Sequence, residues 1–181
     1  MMDTDREPRC HLCPPAQRRV CLEGCEGENP IRFYRATGKY GFLSNLHPAE
    51  VVFEGRVFPT AEHAYQFGKF RSLEAAKWAM QAPGAHLVAV LAHGLLPWDI
   101  KEGWAQGKLQ RMRGVLFEKF GQHPDLAEKL VATIPALLIE ASKTDRFWGI
   151  GREGNGRNML GRLLQEVRCD LGLARRVKGG Y

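Results

Sequence analysis

Two carboxylates in this chain have neighbours that suit them for chemistry. Glu62 lies in the segment PTAEH at residues 59–63, where Thr60 is a good helix N-cap and places the acid in the first helical turn. Asp145 begins the segment DRFWGIG at residues 145–151, beside two aromatic residues and a glycine-rich loop. Two acids near an aromatic side chain and a loop that can approach phosphate are the minimum equipment for cleaving a glycosidic bond.

Each acid also has a purely structural interpretation. An acid in a first helical turn complements the helix dipole, and an aspartate after an apolar stretch can simply form a turn. For Glu62 the neighbours favour function, because Gln66 and Lys69 follow at helical spacing and form one polar stripe. His63 shares a more apolar face with Phe67, so we expect a packed histidine there rather than a catalytic base.

The loop over residues 143–158 has features that would bind a flat, phosphorylated ligand. Phe147 and Trp148 are either plugs for the core or a platform for a base. Four glycines would let backbone N–H groups approach an anion closely, namely Gly149, Gly151, Gly154 and Gly156. Arg152 and Arg157 strengthen the case for phosphate.

Trp98 and Trp104 lie outside this loop, and for both of them burial in the core is the first expectation and ligand stacking the alternative. Lys108 follows Trp104 by four residues on the same helical face, where it would contact phosphate or stay solvated.

The elements that position these residues are mostly helical. Alternation predicts a strand over residues 31–35, and Glu54-Gly55 predicts a hairpin between strands at 50–53 and 56–58. Apolar spacing predicts helices over about 61–70, 73–81, 85–92, 102–120, 123–132 and 158–171, the last capped by Asn158. A short buried strand is expected at 137–140. The fold class is therefore α+β, a mostly helical single domain with a small sheet.

Composition is that of an ordinary globular protein. The chain has 181 residues, of which 44% are hydrophobic and 25% charged. No apolar run approaches the roughly 20 residues of a membrane helix, and the N-terminus lacks an apolar signal core, so we expect a cytoplasmic protein. The formal charge of +6 favours anionic partners such as nucleotides or nucleic acid.

Residues 1–30 form a separate, cysteine-rich segment with almost no aliphatic periodicity. Cys10, Cys13, Cys21 and Cys25 are spaced C-x2-C-x7-C-x3-C, which favours a structural, tetrahedral Zn2+ site in a cytoplasmic protein. His11 could replace one thiol. The alternative is an unstructured tail with chance cysteines.

Several motifs occur in the order typical of one family. They are YGFLSN at 40–45, PTAEHAYQFGKF at 59–70, WAQGK at 104–108, DRFWG at 145–149 and GRNMLG at 156–161. Together they resemble the NADAR superfamily, also called YbiA-like, over about residues 31–172. A basic tail follows at 173–181. Two departures are Leu46, where the family has an aromatic residue, and Phe67-Gly68 in place of Ala-Gln.

The resemblance implies a YbiA-like fold and N-glycosidase chemistry without a cofactor for catalysis. Members of this family cleave ribosylamino-pyrimidine phosphates of riboflavin biosynthesis or remove ADP-ribose from guanine in nucleic acid. The family's acidic and tryptophan positions correspond to Glu62, Trp104 and Asp145, whereas Trp98 does not fit the pattern. The rival hypothesis is a non-catalytic sensor of ADP-ribose or nucleotides.

These inferences give each candidate residue an expected role. Glu62 would stabilise a ribosyl cation or activate water, and Asp145 would orient the ribose or assist proton transfer. The expected substrate-binding residues are Lys39, Ser44, Asn45, Gln66, Trp104, Lys108, Trp148, Gly149, Arg157 and Asn158. Among them the tryptophans would wall the base, Ser44 and Asn45 would bind the base or ribose, and Lys39, Lys108 and Arg157 would bind phosphate.

Overall fold

The computed structural model describes residues 29–178, with side chains described as far as residue 172. The four clustered cysteines therefore lie outside the described residues. The chain divides into two compact units. We call residues 33–127 the central unit, and we call residues 29–32 and 128–178 together the terminal unit. No helix of the described residues is long and apolar enough to cross a membrane.

The central unit combines one hairpin with four helices. Strands β2 (Val51–Phe53) and β3 (Arg56–Phe58) pair antiparallel. The helices are α1 (Ala61–Phe67), α2 (Leu73–Ala79), α3 (Ala85–His93) and α4 (Trp104–Gln122). Short 3-10 turns occur at Gly41–Leu43 and Pro97–Asp99. The core between hairpin and helices contains Phe58, Ala61, Ala64 and Val115.

The terminal unit is built around a short strand and a long helix. Strand β1 (Ile31–Phe33), which begins in this unit, pairs with β4 (Leu138–Glu140). Helix α6 (Met159–Lys178) packs on β4. Helix α5 (Pro124–Val131), which begins in the central unit and ends in this one, precedes the strand. The buried side chains of α6 include Leu160, Leu163, Leu164 and Val167. The α+β prediction is confirmed.

Most element predictions are confirmed where the signal was local. The Glu54-Gly55 hairpin forms with both turn residues at positive φ, 50° and 71°, as a type I′ turn requires. Thr60 caps α1 through its side chain, which accepts the His63 N–H. These features depend only on neighbours in sequence.

Three expectations were wrong. Helix α1 ends at Phe67 and not near Phe70, because the following residues leave the helix and pair with residues 99–101 through the Phe70–Ile100 bridge. Trp98 is 65% exposed rather than in the core. Helix α6 continues to Lys178, past the expected end near residue 171, since the single Gly172 does not interrupt it.

Candidate functional site

Glu62 is held within the central unit both at its backbone and at its carboxylate. Its backbone N–H donates to the carbonyl of Asn45 at 3.0 Å, and the side-chain amide of Gln66 donates to Glu62 Oε1 at 2.8 Å. Glu62 itself is half-buried. Glu62 and Gln66, which were predicted to lie on one polar stripe of α1, are therefore in contact, and this hydrogen bond fixes the orientation of the carboxylate.

The two residues that hydrogen-bond Glu62 each have a side-chain amide oxygen without a partner among the described residues. Within the described residues, Asn45 Oδ1 and Gln66 Oε1 accept no hydrogen bond, although the two residues are only 6% and 4% exposed. The amide nitrogens are assigned by their acceptors, because Gln66 donates to a carboxylate and Asn45 donates to Met112 Sδ at 3.2 Å. Unsatisfied buried acceptors cost about 1–3 kcal/mol each and mark positions for a donor from water or ligand.

The segment that carries Ser44 and Asn45 is anchored by a buried lysine. Lys119 on α4 is 0% exposed, and its Nζ donates to the carbonyls of Phe42 at 2.7 Å and Ser44 at 2.8 Å. Burial lowers the pKa of Lys119 to about 7. A neutral amine has two N–H donors, which match these two carbonyls. Lys119 thus ties α4 to the backbone that also accepts the N–H of Glu62.

His63 is a packed histidine, as expected from its face of α1. It is buried, its Nδ1 lies 2.8 Å from Thr60 Oγ1, and burial lowers its pKa. The Thr60 hydroxyl therefore hydrogen-bonds both the ring of His63 and the His63 N–H at the start of α1.

Trp104 and Lys108 lie on the first two turns of α4. The half-buried ring of Trp104 packs against Tyr65 of α1, with centroids 5.0 Å apart and planes at 48°. Trp104 is therefore neither a core plug nor fully exposed. Lys108 lies one turn further and is also half-buried. Lys39, by contrast, is exposed, with its ammonium over the ring of Tyr40 at 5.2 Å.

In the terminal unit, Asp145 organises the start of the glycine-rich loop. Its Oδ1 accepts the backbone N–H groups of Phe147 and Trp148, both at 2.7 Å. The N–H of Asp145 donates to Ser142 Oγ at 3.1 Å. The turn-forming interpretation of this aspartate is therefore realised. Within the described residues, Asp145 Oδ2 makes no hydrogen bond, so one oxygen of the carboxylate is uncommitted.

The two aromatic side chains of this loop pack against each other. Phe147 and Trp148 meet edge to face at 5.0 Å and 88°, and the guanidinium of Arg157 lies over Phe147 at 5.8 Å. Both aromatic residues are half-buried and Arg157 is exposed. Trp148 thus keeps part of its surface accessible to a ligand.

The glycines of the loop mainly serve its own folding. The N–H groups of Gly151, Gly154 and Gly156 donate to carbonyls within the loop, so the expectation that they cradle an anion was wrong. Gly149 is buried, and a Cβ there would lie 2.8 Å from the carbonyl oxygen of Glu140. The loop therefore needs these glycines for close backbone packing.

Asn158 acts as a clamp on β4 rather than as a side-chain cap for α6. Its Nδ2 donates to the carbonyl of Leu138 at 2.8 Å, and its Oδ1 accepts the N–H of Glu140 at 2.9 Å. Only its backbone carbonyl serves the helix, by accepting the N–H of Arg162. Asn158 adopts a φ of 51°, a left-handed conformation that asparagine tolerates.

Comparison with known proteins gives a consistent assignment. The NADAR domain matches residues 32–172 of this chain. The chain belongs to the NADAR domain family. An N-glycosidase YbiA of Escherichia coli is 35% identical over 143 residues, which cover 79% of this chain and 89% of that protein. The NMR structure of E. coli YbiA superimposes with a TM-score of 0.74 at 33% identity, covering 82% of this chain and 88% of that one.

A second kind of relative is longer than this NADAR chain. A riboflavin biosynthesis protein of Vibrio vulnificus is 37% identical over 144 residues, which are 80% of this chain but 39% of that protein. The chain therefore spans less than half the length of that relative.

One departure from the usual NADAR motif has a structural reason. At Gly68 a Cβ would overlap the side chain of Arg111. The Arg111 guanidinium occupies this space to bind the last carbonyls of α1, those of Ala64 at 2.6 Å and Tyr65 at 3.1 Å, and the carboxylate of Glu54 at 2.8 Å. Leu46, the other departure, is half-buried, and its influence on a base pocket stays a prediction.

Lys119 is the residue near the site that the sequence analysis missed. A usable signal was present, because Lys119 falls on the apolar face of α4 with Val115, Leu116 and Phe120. A lysine in such a stripe is buried only when its ammonium finds acceptors. Within residues 29–178, no cluster of three His, Cys, Asp or Glu side chains could hold a metal.

Proposed function

We propose that this NADAR protein hydrolyses the N-glycosidic bond between a base and a phosphorylated ribose or ADP-ribose. The observation that carries the proposal is the arrangement around Glu62. Its carboxylate is oriented by Gln66, its backbone N–H binds the carbonyl of Asn45, and within the described residues Gln66 and Asn45 each keep one buried amide oxygen without a donor. The names of its relatives, N-glycosidase YbiA among them, support the same chemistry.

In this proposal the bond between C1′ and nitrogen breaks through an oxocarbenium-like ribosyl cation. Glu62 stabilises the cation or activates the attacking water. The unpaired oxygens of Asn45 and Gln66 accept hydrogen bonds from ribose hydroxyls or from amino groups of the base. Trp104 offers its half-buried ring to the base.

Asp145 and Trp148, which belong to the terminal unit, keep in this proposal the roles predicted for them from the sequence. The uncommitted Oδ2 of Asp145 suits a ribose hydroxyl or a proton-transfer step, and the partly accessible ring of Trp148 suits stacking on a base. Ser44, Gly149, Arg157 and Asn158 keep the substrate contacts predicted from the sequence as part of this proposal.

For the substrate we favour a ribosylamino-pyrimidine phosphate, because relatives from Vibrio vulnificus and Zea mays are named riboflavin biosynthesis proteins. ADP-ribosylated guanine in nucleic acid is the second candidate, favoured by the formal charge of +6. The sensor hypothesis gains one observation, since Asp145 has a structural task in its loop that a binding protein would also need.

A comparison of two first-turn acids tests the proposal. Glu62→Gln should lower base release at least about 100-fold, as expected for a group that acts on the reacting atoms. Glu74→Gln is the matched control, because Glu74 occupies the first turn of α2 behind the N-cap Ser72 but is exposed. Both variants are assayed with the riboflavin intermediate and, separately, with ADP-ribosylated DNA.

The outcomes separate the hypotheses. Release from either substrate by the wild type, lost in Glu62→Gln and kept in Glu74→Gln, supports the N-glycosidase. Full activity in Glu62→Gln removes Glu62 from the mechanism. Tight binding of ADP-ribose without release from either substrate favours the sensor.

The cysteine segment supports a separate proposal, namely that Cys10, Cys13, Cys21 and Cys25 bind one structural Zn2+. Elemental analysis of the purified full chain should then find about one zinc per chain, and Cys13→Ser should lower it. A zinc content near zero would leave the segment without a metal. A cytoplasmic location remains a prediction from the sequence.

A further inference from the structure

Lys69 is a half-buried cation at the end of the polar stripe of α1. Its Nζ donates to the carbonyl of Ala92 at 2.5 Å, near the C-terminus of α3. Within the described residues no carboxylate pairs with it. One of the three ammonium donors is therefore used by the fold, which leaves donors for another acceptor.

A second ammonium lies close enough to act on Lys69 electrostatically. Lys108 belongs to α4, which packs on α1 through the rings of Tyr65 and Trp104. Burial and the positive charge of Lys108 both lower the pKa of Lys69. Two cations in partly desolvated surroundings destabilise each other, and an anion bound between them would relieve this repulsion.

The position of the pair along α1 suits a sugar phosphate. Lys69 follows Glu62 by seven residues, and Gly68 keeps helical geometry, so the two Cα atoms lie about 10 Å apart along the helix axis. Lys69 itself lies two residues past the end of α1, where its N–H still donates to the carbonyl of Gln66 at 2.9 Å and its carbonyl accepts the N–H of Lys101, just before α4, at 2.8 Å. A ligand with its C1′ carbon at the acid would reach the lysines with a group attached further along the sugar.

Resting on the proposed function, we propose that Lys69 and Lys108 together bind the phosphate attached to the ribose of the substrate. Lys69 is the anchored member and Lys108 the neighbouring one. The exposed cations Lys39 and Arg157, which were the other phosphate candidates, are stacked on rings of Tyr40 and Phe147. Lys39 and Arg157 are exposed, whereas Lys69 is half-buried beside a second half-buried cation, which makes a bound anion favourable there.

The test measures binding rather than turnover. Ribose 5-phosphate and ribose are titrated calorimetrically into the full-length wild type and into Lys69→Met, Lys108→Met and Lys77→Met. Lys77 is an exposed lysine of α2 and serves as the matched control. Thermal unfolding of each variant verifies its fold, and Lys69→Arg tests whether a retained charge restores binding.

We expect each site variant to weaken ribose 5-phosphate about tenfold or more, the effect of losing one charge-assisted hydrogen bond. Ribose binding should not change, and Lys77→Met should behave as the wild type. The proposal is overturned if the wild type binds ribose 5-phosphate no more tightly than ribose, or if Lys69→Met and Lys108→Met, with their folds verified, weaken both ligands equally or neither.

Because base release is not the readout, the two proposals fail separately. A protein that releases no base but shows lysine-dependent binding of ribose 5-phosphate refutes the N-glycosidase and supports the phosphate site. A protein that releases base but binds ribose 5-phosphate no more tightly than ribose refutes the phosphate site alone.

Discussion

Replacement of Lys119 by methionine should remove a pH dependence of stability from this protein. In the folded state burial lowers the pKa of Lys119 from its ordinary 10.5 to about 7. The unfolded chain therefore binds one proton more than the folded chain between these two values. Stability accordingly rises with pH across this window and is lowest, as far as this group is concerned, below pH 7.

The size of the effect follows from the width of the window. A difference of about 3.5 pKa units corresponds to about 5 kcal/mol between the fully protonated and the fully neutral limits. Between pH 7.5 and 9.5, Lys119 should contribute a rise of about 2 to 3 kcal/mol in the free energy of unfolding. Other groups that titrate there are shared with Lys119→Met and cancel in the comparison.

The assay is urea unfolding of both proteins at pH 7.5, 8.5 and 9.5, at constant ionic strength. We expect the difference in unfolding free energy between wild type and Lys119→Met to grow with pH by about 2 to 3 kcal/mol. The absolute difference also includes the carbonyls of Phe42 and Ser44, which lose their donor in the variant. Parallel pH curves for the two proteins would refute a lowered pKa at Lys119.

Two further predictions concern residues whose tasks only the structure reveals. Gly68→Ala should destabilise the protein by about 1–3 kcal/mol, because the new methyl group displaces the Arg111 guanidinium from the end of α1. Gly121→Ala is the control, since a Cβ at this position of α4 would meet open space. Equal melting temperatures for the two variants would contradict the overlap at Gly68. Asp145→Asn should keep the loop, since an amide oxygen still accepts from Phe147 and Trp148, yet lower base release about 100-fold; unchanged turnover would restrict Asp145 to the turn.

The sequence by itself determined the elements whose signals are local. The Glu54-Gly55 turn and the Thr60 cap depend on backbone preferences of adjacent residues, so the hairpin and the start of α1 could be predicted. The contact between Glu62 and Gln66 follows from helical periodicity alone. The order of the motifs identified the family.

Only the tertiary structure decided which polar groups find distant partners. Lys119 binds carbonyls more than 70 positions away along the chain, at separations of 77 and 75 residues, and Asn158 clamps a strand 18 to 20 residues earlier. Trp98 is exposed, although tryptophan side chains are usually buried. Such outcomes depend on which surfaces the helices bring together, and a buried polar atom is stable only where that packing supplies an acceptor or donor.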